Sequence, residues 1–154
     1  MIERIIDLHD VSTDVMSRLL KVSGFLGLSV QMLWGMVNTF LITPGGPTLP
    51  PWVVGAHAHF GVLGILAIVL GFAVERYDLP STQRRVVTGG YIAGQWLLPA
   101  NILVAIGAGI PMLSLLEYLW GLLLFVSMAV MTWTVWTAES SGGGGRGVTA
   151  PADD

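Results

Sequence analysis

Polar and apolar positions along this chain separate into long blocks. Residues 2–19 carry apolar side chains at Ile2, Ile5, Ile6, Met16 and Leu19, close to helical spacing, with Asp7, Asp10, Asp14 and Arg18 between them. This pattern predicts a short amphipathic helix over residues 1–20, lying on a membrane or against a bundle. Four apolar segments follow, at about Val22–Ile42, Val53–Val74, Val86–Ala108 and Met112–Trp136. Each is near the roughly 20 residues a helix needs to cross a bilayer. The connections carry the breakers: "TPGGPTLPPW" after the first segment, "ERYDLPSTQRR" after the second and "GAGIP" after the third.

The expected architecture is an all-α membrane protein, a four-transmembrane-helix bundle over residues 21–138 preceded by the amphipathic helix. Residues 139–154, from Glu139 through "SSGGGGRGVTAPADD", cannot bury apolar surface and are expected to be a disordered cytoplasmic tail. No A-x-A-like site follows the first apolar segment, so that span is expected to be retained.

Composition narrows the class further. Only 11% of the 154 residues are charged and 53% are hydrophobic, with a mean hydropathy of +0.72. Soluble domains carry about a quarter charged residues. Cysteine is absent, which excludes disulfides, thiolate metal sites and thioether-linked heme. A net charge of −3 without a basic stripe makes nucleic acid an unsuitable partner; the lipid bilayer is the expected one. Arg4, Arg18 and Lys21 precede the first span, and Arg76, Arg84 and Arg85 lie in the second connection. The first and third connections have no Lys or Arg. The positive-inside rule then puts both termini in the cytoplasm of a prokaryotic cell, in a multi-pass protein of the cell membrane, and the "TPGGPTLPPW" connection outside.

With that orientation, polar side chains gather toward the outer leaflet: Asn38, His57, His59, Asn101 and Glu117, with Gln31 and Gln95 nearer the middle. Such a cluster suits a site open to the outside or an interhelical hydrogen-bond network. Glu117 could orient a histidine, or be a solvated residue at a helix start. Pro99 cannot donate to the carbonyl of Gln95, and the freed carbonyl, Gln95 and Asn101 could line a pocket or satisfy one another.

The histidines are the candidate ligands. His9 falls near the apolar side of the first segment and reads as a boundary residue. His57 and His59 are two residues apart, so on a helix they point to nearly opposite faces. His57 is followed at helical spacing by Gly61, Gly64, Ile68 and Gly71, a flat strip that admits a close neighbouring helix or a planar ring such as a porphyrin. His59 is followed by the bulky Leu63, Leu66 and Leu70. His57 is therefore favoured by face geometry.

The stretch "AHAHFGVLGILAIVLGF", with the preceding span and Pro/Gly-rich connection, resembles the second-helix region of heme–copper oxidase subunit I and its small four-span relatives. There, a histidine before an apolar run ligates heme. The resemblance implies b-type heme bound by His57 or His59, with Gly61 and Gly64 beside the ring. The "AH" setting points to His59 as readily as the glycine face points to His57. The later spans hold no histidine, so an oxygen-reducing heme–copper centre is excluded. A second axial ligand could come from a symmetric partner or from a methionine such as Met36 or Met112. The expected function is electron transfer, or interaction with quinol or a diatomic gas, in a homodimer or larger membrane complex. The alternative is a non-catalytic subunit or assembly module of such a complex.

Overall fold

The structure is a computed structural model describing residues 2–41, 48–77 and 79–142, with side chains described for 14–41, 48–77 and 79–138. Helix α1 spans Ile2–Leu41, α2 Pro51–Arg76, α3 Ser81–Gly107 and α4 Leu115–Gly142; a 3-10 turn at Pro111–Ser114 leads into α4. Four segments, Asp14–Leu41, Pro51–Arg76, Ser81–Gly107 and Pro111–Ala138, are long and apolar enough to cross a membrane. The chain is an all-α, four-span membrane bundle, with no strand among the described residues.

The helix ends follow local chemistry. Pro51 opens α2 at a position where a missing N–H costs nothing. Helix α3 closes on Gly109, whose φ of 66° turns the chain left-handed. Gly109 N–H donates to Ile106 O at 3.2 Å, and Ile110 N–H to Ala105 O at 2.8 Å. Pro111 then starts the turn into α4. "GAGIP" is thus a helix stop followed at once by a helix start.

Helix α1 differs from expectation. The N-terminal amphipathic helix is not a separate element, because one helix of 40 residues runs from Ile2 to Leu41. No Gly or Pro occurs before Gly24, so nothing breaks the backbone there. At 1.5 Å per residue it is about 60 Å long, against a hydrocarbon core of about 30 Å. The side chains of residues 2–13, including His9, lie outside the described set. So do residues 143–154, most of the expected tail; the backbone of α4 continues to Gly142.

Helices consecutive in the chain pack on one another, and α1 also meets α3. Helix α1 meets α2 where glycines allow backbones to approach: a Cβ on Gly24 would lie 2.5 Å from Gly64 O, and one on Gly64 would lie 2.9 Å from Gly24 O. Helix α4 joins through α3, where a Cβ on Gly94 would meet Leu124 and Trp120, and one on Gly90 would meet Ser127. At the end of the bundle opposite the α1–α2 connection, Leu20, Leu70, Val74, Leu79, Val87, Tyr91 and Met131 form the core.

Candidate functional site

Helix α2 carries both candidate ligands, and the structure sends them in different directions. Two residues rotate a helix by roughly 200°. His57 faces α1: a Cβ on Gly35 would lie 3.3 Å from its Cε1, and its ring meets Trp34 edge-on at 5.9 Å between centroids. Its Nδ1 is buried and has no hydrogen-bond partner among the described residues. The ring is a packing element of the α1–α2 seam.

His59 is arranged differently. Its Nδ1 lies 2.7 Å from the carbonyl oxygen of Gly55, one turn back on the same helix. A carbonyl only accepts, so Nδ1 carries a proton, and in the neutral ring Nε2 has the lone pair. This is how a protein fixes the tautomer and orientation of a ligating imidazole. The ring is half-buried. Gly55, His59, Val62 and Leu66 follow at four-, three- and four-residue steps, so they form one strip along α2. Val62 is 58% exposed, and a Cβ on Gly55 would touch nothing within 4 Å. His59 itself stands between this strip and the buried Ala56 and Leu63, one turn away on its other side.

The glycine strip beside His57 is closed. A Cβ on Gly61 would sit 2.6 Å from the Gln31 side chain, and Gly64 is pressed against Gly24 and Leu28. Both glycines are buried. Helix α1 occupies the face that a planar ring would need, so Gly61 and Gly64 act as helix-packing residues in this arrangement. The two glycines expected beside a cofactor thus face α1, through Gln31, Gly24 and Leu28. Gly55, absent from the sequence-based set, has space beside it, as do Gly89, Gly109 and Gly121.

The other polar residues resolve into separate contacts. Ser23, Gln95 and Trp96 form a buried network: Ser23 Oγ donates to Gln95 Oε1 at 2.9 Å, Gln95 Nε2 to Ser23 O at 3.0 Å, and Trp96 Nε1 to Ser23 Oγ at 2.9 Å. Asn101 Nδ2 donates to Leu113 O at 2.9 Å, tying α3 to the 3-10 turn. Gln95 and Asn101 therefore serve different neighbours and do not share a pocket. Glu117 has one buried oxygen without a partner, and no hydrogen bond or ion pair among the described residues joins it to either histidine.

Sequence reasoning missed the opposite end. Glu75 accepts from Lys21 Nζ and, at 2.8 Å, from Ser17 Oγ, clamping α1 to α2. Arg84, expected in a polar connection, is 1% exposed and donates to Leu79 O at 2.8 Å. The signal was faint: a single acidic residue at a span end, 54 positions from its lysine.

A cleft of about 350 Å³ separates α2 from α4, lined by Leu66, Leu70, Met128, Met131, Val135 and Trp136. It begins two helical turns along α2 from His59, toward the end that holds the core. No group of three or more His, Cys, Asp or Glu capable of holding a metal ion exists among the described residues.

The four long apolar helices define a small multi-pass helical membrane protein. The chain belongs to the family described as "Domain of unknown function (DUF8059)", which matches residues 16–154. No curated protein and no solved structure matches it.

Proposed function

We propose that this is a small membrane protein that binds b-type heme through Nε2 of His59, at the end of α2 nearest the α1–α2 connection. The observation that carries the reading is the His59 Nδ1–Gly55 O hydrogen bond of 2.7 Å, which leaves Nε2 as a lone-pair donor beside the open step at Gly55. Imidazoles are costly in a membrane, and one with a committed tautomer and an unoccupied second nitrogen fits a ligand role. The basic residues favour an orientation with both termini in the cytoplasm of a prokaryotic cell and His59 toward the outer leaflet. Bound there, heme would supply one-electron chemistry, with quinol or a diatomic gas as the expected partner class. His59 Nε2 would hold the iron, with Gly55 and Val62 beside it and the apolar strip excluding water.

The test is a hemin titration of the purified full chain in nanodiscs. A saturable Soret shift is expected, lost in Gly55→Leu, a position where an added Cβ meets nothing within 4 Å. An unchanged titration in Gly55→Leu, or no shift in the wild type, would overturn the reading.

A second reading, a non-catalytic subunit or assembly module, is favoured by α4. Only 6% of its most apolar window is buried within the chain, against 22–33% for the other spans. Extraction in mild detergent distinguishes it: co-purifying stoichiometric chains of other sequences would support it, and a homogeneous protein would count against it.

A further inference from the structure

We infer that the cleft between α2 and α4 seats an anionic phospholipid, with one acyl chain lying in the cleft and the phosphate at Arg76. The inference is independent of the heme reading, because it concerns the opposite end of α2.

The cleft follows from how the helices are arranged. Helices α1, α2 and α3 all pack on one another, whereas α4 packs on α3 and the 3-10 turn and scarcely touches α2. The space left between α2 and α4, about 350 Å³, has Leu70 and Met131 beneath it, each only 4% exposed. Its walls are Leu66 and Val69 on α2 and Thr132 and Trp136 on α4. The one hydroxyl there is already committed, since Thr132 Oγ1 donates to Met128 O at 2.9 Å. Both walls belong to segments long and apolar enough to cross a membrane, so hydrocarbon borders the cleft. A lining that asks for no hydrogen bond suits an acyl chain, and a polar ligand would lose its own hydrogen bonds there.

Charge at one end of the cleft selects which lipid fits. Leu66, Val69, Ala73 and Arg76 follow along α2 at three-, four- and three-residue steps, so Arg76 continues the cleft wall to the end of the helix. Its guanidinium lies over the Tyr77 ring, 6.0 Å from the centroid. Arg76 is exposed and has no ion pair among the described residues, while the neighbouring Glu75 is engaged by Lys21 and Ser17. Trp136, 73% exposed, stands at the same end on α4, where tryptophan suits the membrane boundary. An apolar cleft that ends in an unneutralised guanidinium at the membrane boundary complements a phosphate carried on a hydrocarbon chain.

The experiment is native mass spectrometry of the full chain, released from mild detergent containing equal amounts of phosphatidylglycerol and phosphatidylcholine with the same acyl chains. Wild type is expected to retain phosphatidylglycerol about fivefold over phosphatidylcholine, the discrimination of one arginine near a membrane surface. In Arg76→Gln the preference should fall to near one, with both lipids still retained. Arg85→Gln, which removes an exposed cation from α3, should keep the wild-type preference. Val69→Trp adds bulk to the cleft wall at a residue 57% exposed, and should reduce retention of both lipids. Equal retention by wild type, an unchanged preference in Arg76→Gln, or an equal loss in Arg85→Gln would overturn the site. A wild-type dimer that carries no lipid and that Val69→Trp splits into monomers would also overturn it, by placing a second copy in the cleft.

Discussion

The α1–α2 seam offers the sharpest test of the fold. Gly24→Ala adds one methyl group where the backbone of α2 already stands. Its Cβ would lie 2.5 Å from Gly64 O, 2.6 Å from Ile68 Cγ1 and 3.0 Å from Ile68 N. Ordinary contact begins near 3.4 Å, so the helices must part by about 1 Å or tilt. Two of the three obstacles are backbone atoms, which no rotamer change can relieve. Overpacking of this kind costs about 1–3 kcal/mol, and the separation also loosens the Gly61–Gln31 and Gly35–His57 contacts. The folding equilibrium should fall roughly five- to 150-fold. Gly55→Ala is the internal control: nothing lies within 4 Å, so helix propensity alone acts and stability should rise by up to ~1 kcal/mol. Denaturation by sodium dodecyl sulfate in dodecyl maltoside micelles, followed by circular dichroism, measures both. If Gly24→Ala is no less stable than Gly55→Ala, the close approach of α1 and α2 is wrong.

Further outcomes follow from individual contacts. Ser23→Ala removes the acceptor of Trp96 Nε1 and a donor to Gln95, and should cost about 1 kcal/mol. In nitrogen-labelled protein it should shift one of the six indole N–H resonances, and a spectrum with all six unmoved would refute the network. Tyr91→Phe deletes the hydroxyl that donates to Leu63 O at 3.0 Å, and should lose about 0.5–1.5 kcal/mol in the same denaturation assay. Gly109→Ala forces a side chain into a left-handed φ of 66°, and should lower stability by roughly 1–2 kcal/mol while leaving helix content unchanged.

The spans were legible because lipid demands long, uncharged helices, and the breakers between them are local signals. Pro51, Pro80 and the Gly109–Pro111 stop all mark boundaries that hold in the structure. The continuity of α1 was hidden because a change from charged to apolar composition looks like a boundary, although the backbone has no reason to break before Gly24. The site was legible only in part. Sequence spacing correctly separated His57 and His59 onto opposite faces. It could not say which face α1 would cover, because the covering residues, Gly24, Leu28, Gln31 and Gly35, lie 22 to 40 positions away. The flat glycine face that favoured His57 is the face best suited to receive a helix, and it received one. Gly55 went unnoticed because one glycine near a helix start has no pattern. The Ser23–Gln95–Trp96 network was similarly invisible: Gln95 announces a polar need in mid-span, but not that Ser23 meets it.

The most direct measurement is a pair of absorption spectra, oxidised and dithionite-reduced, of the wild-type chain and of His57→Ala and His59→Ala, each extracted from heme-supplied cells. Soret and visible heme bands are expected in wild type and in His57→Ala, and absent from folded His59→Ala. A wild type without a Soret band, or bands that survive in His59→Ala and vanish in His57→Ala, would contradict the account.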